Sequence, residues 1–158
     1  MPIKFGLRQF LNPVFVETGL YRGDGTRKAL RAGFKKIYSI EIDRKWIRRA
    51  RAQMPGHIFS GRLVLIHGGS AERMHEVTAM IDTPATFWLD AHFGGKRNPL
   101  ISELETILAH PRNDHTILID DLRMFEKWHV DRDRVEQLLL ERQLVVDVDV
   151  VEGSGLAP

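Results

Sequence analysis

The chain has 158 residues, 43% of them hydrophobic and 28% charged, and no cysteine, so it can bury one core without staples, and disulfide scaffolds and thiolate metal sites are excluded. Its formal net charge is only +2, with basic residues gathered at Arg44, Lys45, Arg48, Arg49 and Arg51; a nucleic-acid groove usually needs a larger excess and aromatic stacking partners, so this cluster reads as a solvated helix face and nucleic acid is not the expected partner. No run reaches the roughly 18 apolar residues of a membrane span, and the first 13 residues, with Lys4 and Arg8, lack a signal-peptide pattern, so the expectation is a cytoplasmic protein without membrane contact.

In chain order, short β-branched apolar runs alternate with helical patterns. Strands are expected at 14–17, 36–40, 63–66, 86–89, 116–119 and 144–151. The first five have near-continuous apolar cores, as strands covered on both faces do. The intervening helices are expected at 25–32, stopping at Gly33; at 44–54, capped by Asp43 and ended by Pro55-Gly56; and at 71–81, capped by Ser70. Two more follow, at 99–109 with Asn98 as cap and Pro99 in the first turn, and at 130–143 with Asp131 and Asp133 near its start. This alternation predicts one α/β domain, 1–158, Rossmann-like and doubly wound, its mostly parallel sheet flanked by helices on both faces.

Ligands of such sheets bind beyond the carboxyl ends of the strands, near the switch point. The residues there are acidic or glycine-rich: Glu17-Thr-Gly19, Glu41-Ile42-Asp43, Gly68-Gly69-Ser70, Asp90-Ala-His92 and Asp120-Asp121. Gly19, Gly23 and Gly25 follow the first strand in a G-x-x-x-G-x-G spacing, which differs from the dinucleotide fingerprint G-x-G-x-x-G. Glu17 stands just before them, where a carboxylate repels a pyrophosphate and suits a cationic, hydroxyl-rich ligand. S-adenosyl-L-methionine, with its ammonium and sulfonium and no phosphate, meets that description. Glu41, twenty-two residues after Gly19, is placed to accept both hydroxyls of a ribose, with Ile42 beside it. Gly69 and Ser70 offer donors to an adenine edge, while Ser70 also suits a helix cap. Tyr21 either covers the methionine part of the ligand or packs.

The segments Glu-Thr-Gly-Leu-Tyr-Arg-Gly, Ile-Tyr-Ser-Ile-Glu-Ile-Asp, Gly-Gly-Ser, Phe-Trp-Leu-Asp-Ala-His and Ile-Leu-Ile-Asp-Asp occur in order between Phe15 and Leu122. In this the sequence resembles class I S-adenosylmethionine-dependent methyltransferases, and among them the catechol O-methyltransferase-like, metal-dependent O-methyltransferases. The resemblance implies that Glu17 and Gly19 approach the methionine portion of the cofactor, Glu41 holds its ribose, Ser70 meets its adenine, and Asp90 lies beside the transferring methyl.

Asp90, Asp120 and Asp121 end the fourth and fifth strands, and three carboxylates in one crevice suit a hard cation, magnesium (Mg2+) first. The resembling family has Asp, Asp and Asn there, so Asp121 is a departure that adds charge. His92 is the first candidate for the base and Lys96 its rival; the family's lysine aligns cleanly with neither. The stretches 91–99 and 123–128, with Met124, Phe125 and Trp128, are expected to wall an acceptor site or to pack. His75 reads as a surface or core histidine. Only about 13 residues precede the first strand, where relatives acting on small molecules carry covering helices, and the last strand should supply one half of an antiparallel hairpin. An edge left open there makes a homodimer plausible. The expected activity is methyl transfer to a small hydroxylated molecule; the alternatives are a nucleic-acid or protein methyltransferase of the same fold, or a cofactor-binding module without catalysis.

Overall fold

A computed structural model describes residues 6–91, 98–121, 124–140 and 146–148. After a single 3-10 turn at Leu7–Phe10, the apolar runs form strands β1 (Val14–Thr18), β2 (Lys36–Glu41), β3 (Leu63–His67), β4 (Ala85–Leu89), β5 (Thr116–Ile119) and β6 (Val146–Val148). Between them lie α1 (Asp24–Ala32), α2 (Arg44–Gln53), α3 (Pro55–Phe59), α4 (Ser70–Ala79), α5 (Leu100–Leu108) and α6 (Arg132–Leu140). The strands join in the order β3-β2-β1-β4-β5-β6, and every pairing is parallel. The order reverses between β1 and β4, which opens a crevice at their carboxyl ends.

Alternation along each strand divides the core between the two helical layers. Phe15, Ile37, Trp88 and Leu118 pack against Ala29 of α1 and Ile47 and Ala50 of α2. Val16, Tyr38, Ile40, Phe87, Leu89 and Ile117 pack against Met74 and Val77 of α4, Leu100 and Leu104 of α5, and Leu138 of α6. Every residue of β1 is buried, as expected of a central strand between two layers. No described helix is long and apolar enough to cross a membrane.

The differences from the sequence reading are local. α2 ends before Pro55 as expected, with Met54 as its C-cap, but Pro55 then opens the short helix α3, where a first-turn proline loses no hydrogen bond. Gly69, with extended backbone, is the N-cap of α4, and Ser70 is already helical with no capping bond. Asn98 lies one residue outside the cap of α5, which is Pro99, although its Oδ1 still accepts the Leu100 N–H at 2.9 Å. Asp43 caps α2 as expected, accepting the Lys45 N–H at 2.7 Å. The strand expected at 144–151 in an antiparallel hairpin is described at Val146–Val148 only, where it runs parallel to β5. Three residues of ladder give that segment little to fix its register or length.

At the amino ends of β4 and β5 two histidines form an ordered chain. The Ala85 N–H donates to His115 Nδ1 at 3.1 Å, so the ring proton of His115 is on Nε2, which lies 3.0 Å from His110 Nδ1. His110 Nε2 in turn reaches the Ile81 carbonyl at 3.1 Å. This arrangement requires both rings to be neutral. Burial, helped by the neighbouring His110, pushes the His115 pKa down to about 4. In the unfolded chain an imidazole titrates near 6.5. As pH falls from about 6.5 to about 4, the unfolded state binds a proton that the folded state refuses, and stability drops by about 1–2 kcal/mol. Thermal midpoints measured against pH should show this slope in the native protein and lose it in His115→Gln; parallel curves for the two would refute the assignment.

Candidate functional site

The turn after β1 is built on backbone that side chains avoid. Gly19 has φ +86°, and a Cβ there would lie 2.8 Å from the Asp90 carbonyl oxygen. Its N–H donates to the Ile40 carbonyl at 2.9 Å. Glycine at this position therefore lets three strand ends converge. Gly19→Ala should cost about 2 kcal/mol or more, from clash and left-handed strain together, read as a fall of several degrees in the thermal midpoint; an unchanged midpoint would remove the close approach. Gly23, also left-handed at φ +79°, caps α1. Tyr21 is left-handed too, at φ +45°, a rare conformation for an aromatic residue. It is held by Glu41, whose Oε2 accepts the Tyr21 N–H at 2.8 Å, and its ring stays half exposed against Trp46.

Two carboxylates brace this turn. Glu17 is buried, and its Oε2 accepts the hydroxyls of Thr26 at 2.5 Å and Ser39 at 2.7 Å. Burial pushes its pKa up to about 7, against the pull of those hydroxyls. Glu41, at the end of β2, accepts the Asp43 N–H on Oε1 at 2.8 Å and the Tyr21 N–H on Oε2. Its carbonyl accepts the Gly68 N–H at 3.0 Å, which ties β2 to the turn before α4. Ile42 is half exposed, and Gly69 and the buried Ser70 open α4 across the same crevice. Each Glu41 oxygen keeps a free lone-pair direction for a further donor.

Asp90 continues β4, with its N–H facing the carbonyl and the hydroxyl of Thr18, each at 3.2 Å. The Asp120 N–H donates to the Leu89 carbonyl at 3.1 Å, and Asp120 Oδ1 accepts the Asp121 N–H at 2.7 Å. Asp121 takes φ +55°, which swings its carboxylate toward the other two. One oxygen from each of Asp90, Asp120 and Asp121 lies within 4.8 Å of the others. Burial first, then the charge of Asp120, raises the Asp90 pKa to about 7. Carboxylates this close, one buried and two half-buried, ask for a proton or a cation between them, and three hard oxygen donors fit magnesium.

The structure thus places Glu17, Gly19, Tyr21, Gly23, Glu41, Ile42, Gly69, Ser70 and Asp90 at or just beyond the carboxyl ends of β1, β2, β3 and β4, with Asp120 and Asp121 at the end of β5. His92 and Lys96 lie outside the described residues, as do most of the 91–99 loop and Arg123. Phe125 is a core residue, 3% exposed, under the Arg132 guanidinium, so of the expected acceptor wall it packs. Trp128 lines a cavity of about 450 Å³ together with Ala71, Pro99, Ile101 and Val130. His75 is exposed on α4.

Sequence reasoning missed Thr18, Thr26, Ser39 and Glu103. Ser39 carried a signal, a small hydroxyl between the apolar residues Ile37 and Ile40 of a buried strand, and it pairs in register with Glu17. Glu103 carried another, since it occupies the apolar stripe Leu100, Leu104, Ile107 of α5.

No family model matches the sequence, and no curated protein matches it. Solved structures do. A Podospora anserina methyltransferase bound to S-adenosylhomocysteine superimposes with a TM-score of 0.60 at 16% identity, over 85% of this chain and 64% of that one. A Staphylococcus aureus protein assigned as a caffeoyl-CoA O-methyltransferase gives 0.61 at 14% identity, over 84% and 68%. A Clostridium thermocellum protein assigned as an rRNA methylase gives 0.55 at 16%, over 89% and 82%. The chain therefore has the Rossmann-like α/β fold of these methyltransferases. It spans slightly less than two thirds of the Podospora protein's length.

Proposed function

We propose that this chain is an S-adenosylmethionine-dependent methyltransferase that performs magnesium-assisted O-methylation of a small hydroxylated molecule. The observation that carries the reading is that a left-handed glycine turn, the Glu41 carboxylate and three clustered aspartates stand together at the carboxyl ends of neighbouring strands. Neighbours of the same fold bound to S-adenosylhomocysteine support it.

When bound, the cofactor supplies an electrophilic methyl on a sulfonium. Glu41 would accept the ribose hydroxyls, Ser70 would meet the adenine, and the backbone of the Gly19 turn would lie against the methionine part. Glu17, whose pKa burial raises to about 7, would favour its charged form beside a cationic ligand. Asp90, Asp120 and Asp121 would hold magnesium, whose contribution is to lower the pKa of an acceptor hydroxyl. His92 or Lys96 takes the proton in this proposal, and holding the acceptor in line with the methyl supplies much of the remaining acceleration. Calorimetric titration of the native protein with S-adenosylhomocysteine tests the foundation. Micromolar binding is expected, and absence of heat at every concentration would overturn it.

A second reading, a methyltransferase acting on nucleic acid, draws on charge distribution. Residues 1–62 hold fourteen Lys or Arg against four Asp or Glu, whereas 63–158 hold nine against seventeen. The small net charge therefore conceals two oppositely charged halves. None of the five cations of α2 forms an ion pair with a described residue, and Lys45 and Arg49 flank the Trp46 ring at 4.9 and 5.8 Å. A gel shift with single-stranded RNA at physiological salt separates the readings: retardation lost on α2 charge reversal favours the second, and free migration the first.

A further inference from the structure

We propose that Glu103 is a positioning residue of the cofactor crevice: from inside the core it orients the hydroxyls of Ser70 and Thr18, one at each end of the ligand. The inference rests on the cofactor reading above and adds to it a residue from α5, an element that reading leaves unused.

Glu103 is fully buried, and neither of its carboxyl oxygens has a hydrogen-bond partner among the described residues. Burial raises its pKa to about 7, against the pull of the neighbouring Ser70 and Thr18 hydroxyls. A buried carboxyl without well-formed partners weakens a fold, because its desolvation is uncompensated. Leucine or methionine in that stripe would pack with Leu100, Leu104 and Ile107 at no such cost. A residue that costs stability in the core calls for a role outside it, and the two groups beside it suggest one.

Ser70 opens α4, which the cofactor reading puts at the adenine end of the site. Thr18 stands at the transfer end, where its Oγ1 accepts the Asp90 N–H at 3.2 Å. With that lone pair engaged, the Thr18 hydroxyl proton has Glu103 as its neighbouring acceptor. The same carboxyl can meet the Ser70 hydroxyl with its other oxygen. Glu103 thereby links the base-reading end of the crevice to the strand end that carries Asp90, without touching the ligand itself.

The test compares the native protein with Glu103→Met, which keeps the length of the side chain, and Glu103→Gln, which keeps a donor and an acceptor. Thermal midpoint and S-adenosylhomocysteine affinity are measured for each. A positioning role predicts that Glu103→Met raises the midpoint by several degrees yet weakens binding about tenfold, while Glu103→Gln binds within about threefold of native. Opposite movement of the two quantities is what a packing role does not produce. Native binding retained in Glu103→Met overturns the proposal alone, as does a variant that loses stability and binding in step. Absence of binding by the native protein overturns the cofactor reading and this inference with it.

Discussion

Replacing Glu41 by alanine is expected to weaken S-adenosylhomocysteine binding by about a hundredfold, the loss of two charge-assisted hydrogen bonds to a ribose. The structure adds a second cost. Both Glu41 oxygens already brace backbone, one the strained Tyr21 and the other Asp43. Removing the carboxylate leaves the glycine turn without its brace, so the alanine variant should also lose a few degrees of thermal midpoint. Glu41→Gln is the informative partner. Its amide nitrogen must face a backbone N–H on one side, donor against donor, so it should recover only part of the affinity. Calorimetry on the three proteins gives the ranking, and equal affinities would end the ribose assignment.

Asp120→Asn should reduce methyl transfer at least about a hundredfold and abolish a response that needs no acceptor to be known. The native protein is expected to gain thermal stability when millimolar magnesium relieves the repulsion among Asp90, Asp120 and Asp121. Asparagine retains the oxygen that accepts the Asp121 N–H, so the local turn survives the change. Without metal the variant should melt at or above the native midpoint, since one negative charge is gone, and magnesium should no longer move it. A native midpoint that ignores magnesium would rule out the metal site, and the three carboxylates would then be read as sharing protons.

Strands β1, β2, β4 and β5 were legible because they are almost wholly buried and so nearly continuous in apolar residues; β3, at the edge, is mostly half-buried yet keeps its apolar run, and β1, β2, β3 and β5 begin at the expected residues. The ends of helices were less so. Ser70 has the composition of a cap, yet Gly69 takes the extended backbone and the role, a choice decided by the tight return from β3. Of the candidate site, the residues that follow strands could be found from topology alone, and Glu17, Glu41, Asp90, Asp120 and Asp121 are together in space. What escaped was everything reached through tertiary contact. Thr26 meets Glu17 only because α1 folds back over β1, and Glu103 comes beside Thr18 and Ser70 only because α5 packs on α4. The histidine chain joins residues 81, 85, 110 and 115 at the opposite end of the sheet, with no motif to announce it.

The place of β1 at the middle of the sheet also sets an order of assembly. β1 pairs with β2 on one side, Val14 beside Lys36, and with β4 on the other, Val14 beside Ala85. On a ribosome adding about 5–20 residues each second, the second neighbour arrives several seconds after the first. Until then β1 exposes a complete edge and an apolar face, and the Gly19 turn lacks the Asp90 backbone it was shaped to meet. The half-crevice that holds Glu41 is complete early, while the half that holds the aspartates closes last. A nascent chain stalled between β3 and β4 is thus the form of this protein most exposed to capture by chaperones.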